Sequence, residues 1–321
     1  MERERACKRF RVFAWLVLAY NIPVILWGAY VRASFSGDGC GAHWPFCNGS
    51  VIPQHMAAPM AIEFTHRVMT SVDTALAIGL CAWAFVLFPR KHAVRRYAVL
   101  SLVFLFIEAL LGAGLVLLRY VAKDQSAGRA WYLSAHLTNT MLLLGALTIT
   151  ACLASKRLDR MRYRRVTPAL IGALGVAVFV SVTGTIAALG DTLFPASSLR
   201  AGMQQDFSSA SSALLRLRMF HPLVAIVGAA YIAWSAFGTL KRNRTEAVRW
   251  PAKSVLTLVV SQLAVGAVNL SLLAPVWMQL LHLFVADLLW ISLVILALES
   301  ATVPEAVVYG NRSREEATPR L

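Results

Sequence analysis

Residues 59–88 read PMAIEFTHRVMTSVDTALAIGLCAWAFVLF, a stretch of 30 residues that is apolar except near its beginning. A helix needs about 20 mainly apolar residues to cross the hydrocarbon core of a bilayer. Glu63, His66 and Arg67 lie in the first third of this stretch. Ionisable residues inside a membrane are costly and are therefore functional candidates. The stretch predicts a membrane helix that carries functional residues near one end.

The rest of the chain contains seven more stretches of this kind. The chain has 321 residues, 58% of them hydrophobic, and a mean hydropathy of +0.62, which is too apolar for an ordinary soluble domain. We predict an all-α polytopic membrane protein with eight transmembrane helices. The spans are placed near residues 11–31, 59–88, 96–118, 131–154, 168–189, 215–238, 254–273 and 277–299. No small-residue cleavage site follows the first span, so we expect it to be retained.

The basic residues are distributed unevenly between the two sides of these spans. Of the 31 Lys and Arg, 23 lie in the N-terminus, the even-numbered loops and the C-terminus, and seven lie in the odd-numbered loops. The positive-inside rule therefore predicts an inner (cytoplasmic) membrane protein with both termini in the cytoplasm. The net charge of +15 is explained by these anchors and by contact with lipid headgroups, so we expect no nucleic-acid partner.

Four histidines lie at one depth in the predicted membrane. They are His66, His136, His221 and His282, one near the outer end of every second span. At 1.5 Å per residue, each lies roughly 7–11 Å below the outer surface. Imidazole is the usual axial ligand of haem iron, so four at matched depth predict two axial pairs. The alternative for any one of them is a hydrogen-bonded packing histidine, but this explains the shared depth of four poorly.

The spacing of these residues indicates an internal repeat. His66 and His221 are 155 positions apart, and Gly112 and Gly266 are 154 apart. We expect two parallel four-helix halves, at residues 11–154 and 168–299, followed by a cytoplasmic tail at 300–321. Haem sites in helix bundles form between facing side chains. Pairing within each half, His66 with His136 and His221 with His282, is the simplest arrangement, and pairing across the halves is the alternative.

The two halves differ in the acid beside the histidine. Glu63 precedes His66 by three residues and shares its helix face, whereas Arg218 stands at the matching place before His221. A carboxylate at only one site predicts that a reaction occurs there, and that the other site carries electrons. The alternative is a Glu63–Arg67 ion pair that only orients the helix.

Three other acids, Glu108, Asp73 and Asp287, lie well inside the predicted spans. Glu108 matches Gln262 in the repeat, which favours a hydrogen-bonding role over an obligatory charge. Asp73 and Asp287 do not face their nearest histidines, and we expect both to serve in packing or helix pairing.

Cys40 and Cys47 lie in the predicted outer loop, where disulfides persist. A structural disulfide, a redox-active disulfide and a metal site that also uses His43 and His55 are three alternatives. The spacing matches no familiar zinc pattern, so the metal site is the weakest of them. The remaining cysteines, Cys7, Cys81 and Cys152, are expected to be inert.

Taken together, these features resemble the haem A synthase family. The matching segments are GAYVRASFSGDGCGAHWPFCNG (28–49), EFTHR (63–67), SAHL around His136, GDTLFP (190–195), RMFHP (218–222) and QLAVGAVNL…QLLHLFVADLLW (262–290). They cover nearly the whole chain from residue 11 to residue 299. One departure is the loop at 190–214, which has no cysteine, whereas some members of the family carry a second cysteine pair there.

The resemblance implies an oxidoreductase that converts haem O to haem A for terminal oxidases, by oxidising a porphyrin methyl group to a formyl group. By position, His66 and His136 would hold the substrate haem, and His221 and His282 would ligate the iron of a haem B cofactor. Glu63 would be the catalytic carboxylate. Cys40 and Cys47 would form the loop disulfide. A haem O synthase, an electron acceptor or thiol partner, and a second copy of the chain are possible partners.

Two other functions compete with this one. A di-haem b-type electron-transfer protein also explains four histidines, but it does not explain the single acid or the cysteine loop. A transporter explains the repeat and Glu63, but it does not explain four histidines at one depth.

Overall fold

The computed structural model describes residues 2–155, 161–163, 165–208, 213–243 and 245–304, and these are almost entirely helical. The helices are α1 (Glu2–Ala33), α2 (Ala58–Leu87), α3 (Ala93–Leu117), α4 (Ala127–Ala154), α5 (Pro168–Leu193), α6 (Leu199–Phe207), α7 (Ala213–Arg242), α8 (Glu246–Ser271) and α9 (Val276–Ala301). Within the described residues, all of these except α6 are long and apolar enough to cross a membrane. The prediction of an all-α protein with eight such helices is confirmed.

Local sequence signals begin several of these helices. Thr167 and Ser126 cap α5 and α4, because their side chains accept hydrogen bonds from the backbone N–H groups of Leu170 and Arg129. Proline, which is tolerated in a first helical turn, occupies that position in α2 and α5. These signals place the helix starts close to the predicted span starts.

The structure also contains elements that the hydropathy pattern did not predict. Helix α1 begins at Glu2, well before the predicted span, because its charged first turns continue the same helix outside the apolar stretch. Helix α6 is short and polar, and so has no membrane signal. Strands β1 (Met161–Tyr163) and β2 (Thr302–Pro304) pair antiparallel, with Arg162 opposite Val303. Most of the predicted tail, from residue 305 onward, lies outside the described residues.

Helix α4 is the centre of the bundle. It packs against α1, α3, α5 and α9. In α4, 72% of an 18-residue apolar stretch is buried, whereas the corresponding share in the other seven long helices is 11–39%. The indole N–H of Trp290 on α9 donates to the carbonyl oxygen of Met141 on α4 at 2.7 Å. Helix α4 therefore supplies much of the contact between the α1–α4 and α5–α9 segments, which α1 also joins by packing against α9.

A polar contact inside the bundle involves one of the predicted packing acids. Asp73 is 1% exposed, and its carboxylate accepts a hydrogen bond from the Asn21 side chain on α1 at 2.9 Å. The expectation that Asp73 pairs helices is confirmed. Asp287 is also buried, at 6% exposure.

Candidate functional site

Each of the four predicted histidines lies against a glycine on the transmembrane helix that precedes its own. The pairs are Gly28 with His66, Gly112 with His136, Gly184 with His221 and Gly266 with His282, and a Cβ atom added to the glycine would lie 2.9, 3.5, 3.0 and 3.0 Å from the ring, respectively. A side chain at Gly28, Gly184 or Gly266 would push the ring away. Glycine at these positions therefore keeps the space beside the imidazoles open.

Sequence reasoning missed two of these glycines. Gly112 and Gly266 were recognised only as markers of the repeat, and Gly28 and Gly184 were not singled out. Their separation of 156 positions is close to the 155 that relates His66 to His221. This repeat spacing could have identified Gly28 and Gly184 from the sequence. The same glycine–histidine contact at four places is what an internal repeat would produce.

The histidines approach each other in the pairs that the repeat favours. His66 is within electrostatic range of His136, and His221 is within range of His282. Pairing within each half is thus compatible with the helix arrangement, although the iron-ligand roles of these residues stay a prediction.

Hydrogen bonds fix the rings of His136 and His221. Nδ1 of His136 lies 2.7 Å from Oε1 of Glu108, and Nδ1 of His221 lies 3.0 Å from the Thr183 hydroxyl. A partner on Nδ1 sets the tautomer and leaves Nε2 available to a metal. Sequence reasoning did not identify Thr183, because a threonine inside an apolar helix gives no distinctive pattern.

Glu108 has the hydrogen-bonding role that the repeat suggested. Besides His136, its carboxylate accepts hydrogen bonds from the Asn139 side chain, at 2.5 Å, and from the Thr140 hydroxyl. In α8, the amide nitrogen of Gln262 lies 3.4 Å from Nε2 of His282, a much looser contact. The two matched positions therefore support their histidines differently.

The other two rings have a nitrogen without a partner. Nδ1 of His66 and Nδ1 of His282 are buried and have no hydrogen-bond partner among the described residues. Buried polar atoms are normally satisfied, and exceptions often mark functional sites.

Glu63 is buried and accepts two hydrogen bonds beside His66. It is 4% exposed, its Oε1 lies 2.5 Å from the Arg67 guanidinium, and its Oε2 accepts the backbone N–H of Cys40 at 2.8 Å. The ion pair that was one alternative for Glu63 is therefore present. The hydrogen bond from the N–H of Cys40 was not predicted, and it joins the Glu63 carboxylate to the cysteine loop.

Arg67 holds the same loop to α2. Its Nη1 donates to the carbonyl oxygens of His43, Pro45 and Phe46 at 2.8, 3.3 and 2.9 Å. Cys40 and Cys47, at the two ends of this segment, form a disulfide, so that pairing is confirmed. Because the disulfide uses both sulfurs, the alternative of a metal site with two thiolate ligands is wrong for this structure.

The matching place in the α5–α9 segment has the opposite charge. Arg218 lies 2.8 Å from Asp206 on α6 and 3.3 Å from Asp191 on α5, and it also donates to the carbonyl oxygen of Phe194 at 3.1 Å. Sequence reasoning missed Asp206 because α6 was not predicted, and it missed Asp191 because that residue lies just beyond the predicted span at 168–189. At the position that Glu63 occupies in the first site, the second site has Arg218, which forms ion pairs with Asp191 and Asp206.

The donor set fits axial ligation of haem iron. Imidazole is a common haem ligand, and paired imidazoles at one level of a helix bundle are the expected arrangement. Two rings have Nδ1 fixed by a partner, two have an unsatisfied buried nitrogen, and glycine allows three of the four rings to pack closely against the preceding transmembrane helix.

The fold and this site together define a polytopic helical membrane protein with two pairs of partly buried histidines and a disulfide loop that is bonded to Glu63 and Arg67 beside the first pair. Residues 11–294 match the family model COX15-CtaA, described as cytochrome oxidase assembly protein. The chain belongs to this family, and the resemblance to haem A synthases is confirmed.

Individual relatives carry two kinds of name. A protoheme IX farnesyltransferase of Thermus thermophilus is 40% identical over 295 residues, which are 91% of this chain and 48% of that one. A heme A synthase of Geobacillus kaustophilus is 27% identical over 325 residues, covering 98% of both chains. A heme A synthase of an Exiguobacterium species is 34% identical over 110 residues, which are 34% of this chain and 36% of that one. The chain therefore spans about half the length of its Thermus relatives and nearly the whole length of the Geobacillus relative.

Proposed function

We propose that this protein is a haem A synthase that oxidises a methyl group of haem O to a formyl group. The observation that carries the proposal is Glu63, held between Arg67 and the N–H of Cys40 beside one histidine pair and replaced by Arg218 at the other. This asymmetry is what a protein with one reaction site and one electron-transfer site needs. The heme A synthase names of relatives such as that of Geobacillus kaustophilus support the same conclusion.

The two histidine pairs have different roles, one in binding the substrate and the other in binding the cofactor. His66 and His136, in the half at 11–154, hold the substrate haem O, and His221 and His282, in the half at 168–299, ligate haem B. Haem B, when bound, supplies one-electron transfer. Glu108 and Thr183 set the tautomers of His136 and His221, so that each ring keeps Nε2 for iron.

Glu63 handles charge at the substrate. Its two bonds fix the carboxylate on the face of α2 that carries His66. There it stabilises the positive charge that develops as electrons are withdrawn from the substituent, and it accepts protons that are released. Buried placement strengthens both effects, because little water competes with the carboxylate.

Water is the source of the formyl oxygen in this proposal. With His66 and His136 both bound to it, the iron of the substrate haem would have no open position for dioxygen. Converting the methyl group to a formyl group with the oxygen of one water releases four electrons and four protons. The electrons would leave one at a time through the haem of the second pair to an external electron acceptor, and Glu63 would accept protons. Turnover in ¹⁸O-labelled water should give a labelled formyl group, and label arriving from dioxygen instead would contradict this route.

The surroundings of the protein follow from the same proposal. The basic loops support a location in the inner (cytoplasmic) membrane with both termini in the cytoplasm. A haem O synthase is the natural supplier of its substrate. The name of the Thermus relatives, of which this chain spans about half, supports a farnesyl-transfer partner.

The first test is the identity of the haems that the protein acquires. The full chain is expressed in a host that makes haem O, and the extracted haems are separated by chromatography and weighed by mass spectrometry. Haem A or its hydroxylated precursor together with haem B supports the proposal. Haem B alone, with haem O available, would favour a di-haem electron-transfer protein. A colourless preparation would contradict both haem functions.

A further inference from the structure

Arg32, in the last turn of α1, bridges to two helices of the other half. Its Nη1 donates to the Thr192 hydroxyl on α5 at 3.2 Å, and its Nη2 donates to the Gln279 side chain on α9 at 3.1 Å. Both acceptors are neutral. Asp191 interacts with Arg32 electrostatically, but the Asp191 carboxylate is bonded to Arg218 at 3.3 Å. None of the ion pairs found among the described residues includes Arg32.

Arg32 lies one helical turn from the level of the histidines, toward the end of the bundle that carries the Cys40–Cys47 loop. We call this the disulfide end. Arg32 follows Gly28 by four residues, and Gly28 contacts the ring of His66. Gln279 precedes His282 by three residues on α9. The guanidinium is thus placed just beyond the imidazoles, where a ligand held by them would end.

Arg129 is a second buried cation at the disulfide end. It is 2% exposed and precedes His136 by seven residues, which puts both on one face of α4. Its Nη1 donates to the carbonyl oxygens of Ala122 and Asp124 at 2.7 and 2.8 Å. Its Nε is buried without any partner among the described residues.

Arg32 lies one helical turn beyond the Gly28–His66 contact and Arg129 lies two turns from His136, both toward the disulfide end, and each positive charge disfavours the other. Asp124 lies near Arg129 and offsets part of its charge. Placing two guanidinium groups together in a partly buried site is costly unless an anion joins them. Arginine is suited to this, since its planar fork binds carboxylates with two parallel hydrogen bonds.

We propose that Arg32 and Arg129 form a carboxylate-binding site that receives the propionate groups of the haem held by His66 and His136. This inference rests on the proposed function and adds how the substrate is oriented. A haem carries both propionates on one edge, so binding that edge at the disulfide end fixes which way the rest of the ring points. The substituent to be oxidised is then presented at one position relative to Glu63.

The test compares iron protoporphyrin IX with its dimethyl ester, which lacks the two carboxylate charges. The full chain is prepared with either His221 and His282 or His66 and His136 changed to Ala, so that one histidine pair remains. Each ligand is titrated into the apoprotein by Soret absorbance. With His66 and His136 present, we expect the free acid to bind about tenfold or more tightly than the ester, the ratio for one charge-assisted hydrogen bond.

Arg32→Gln and Arg129→Gln should each lower this ratio toward one while leaving the affinity for the ester unchanged. Unchanged ester binding also shows that the variant has folded. Arg32→Lys retains the charge and should keep part of the preference. Arg119→Gln is the matched control, because Arg119 is an exposed arginine at the same end of the bundle, and it should keep the full ratio. The ester partitions into detergent more than the free acid does. This affects every variant equally, so it cancels when the ratios of the variants are compared.

Three results would overturn the inference: equal binding of both ligands in the parent chain, a ratio unchanged in both glutamine variants, or a loss of preference confined to the His221–His282 pair. A failure of the proposed function looks different. In that case the haems extracted from the full chain, expressed with haem O available, would include neither haem A nor its hydroxylated precursor, whatever the ratio of acid to ester binding.

Discussion

Glu108 Oε1 lies 2.7 Å from Nδ1 of His136, so a carboxylate supports one histidine of the first pair. The matched residue in α8 is Gln262, whose amide nitrogen lies 3.4 Å from Nε2 of His282. A carboxylate that is hydrogen-bonded to the ring nitrogen that does not bind the metal makes the imidazole a stronger donor to iron. Removing such a partner typically costs about 10–100-fold in metal affinity. Haems held at the two proposed sites should therefore differ in electronic properties as well as in their neighbours.

Glu108→Ala should weaken haem binding at the His66–His136 pair by about 10–100-fold. Glu108→Gln, which copies the residue of the other half, should retain binding but raise the midpoint potential of that haem, because a neutral amide removes the negative charge. Spectroelectrochemical titration measures the potential. The reciprocal Gln262→Glu change should lower the potential of the second haem, and an unchanged potential in both variants would contradict the role given to Glu108.

Glu63→Gln should leave haem binding intact and lower product formation by about 100-fold or more, the usual contribution of a general acid or base. The amide keeps the size of the side chain and can still accept the N–H of Cys40, so the loop should stay in place. Extraction of haems after expression with haem O gives both binding and product. Normal turnover in this variant would return Glu63 to the purely structural role of partnering Arg67.

Gly184→Ala should disturb the second histidine pair, because the added Cβ would lie 3.0 Å from Cε1 of His221. Overpacking of this kind costs about 1–3 kcal/mol, which corresponds to roughly 5- to 160-fold weaker haem binding. Soret titration at that pair measures the loss. Gly175→Ala is the matched control on the same helix, because its added Cβ would meet nothing within 4 Å. Equal binding by both variants would show that the glycine contact is unimportant.

Changing Cys40 and Cys47 together to Ser should lower the thermal stability of the protein, because the disulfide closes the loop that Arg67 holds through three carbonyl groups. A thermal-shift assay in detergent measures this, and Cys152→Ser, which changes a cysteine outside the disulfide, serves as a control. Unchanged stability with lost turnover would instead assign the disulfide an electron-transfer role.

The sequence predicted the eight long helices well and singled out the four histidines, whose ligand roles stay a prediction, for a physical reason. Bilayer thickness fixes the length of an apolar span, and a histidine inside one is conspicuous. Contacts that depend on the approach of two helices had no such signal. The bond from Glu63 to the N–H of Cys40, the ring contact of Gly28 and the Thr183 partner of His221 all required the packed structure. Polar α6, which supplies Asp206 to Arg218, lacked the apolar pattern that identifies a membrane span.

The central position of α4 has a consequence for how the protein is made. Thr148 and Thr150 are fully buried in α4. Neighbouring helices, rather than lipid, cover most of the apolar stretch of this helix. Until α5 and α9 have been synthesised and inserted, part of that surface has no protein neighbour and must face lipid. The first four helices therefore depend on the later ones to complete their packing. Biogenesis should yield a long-lived protein only after the last helix has entered the membrane.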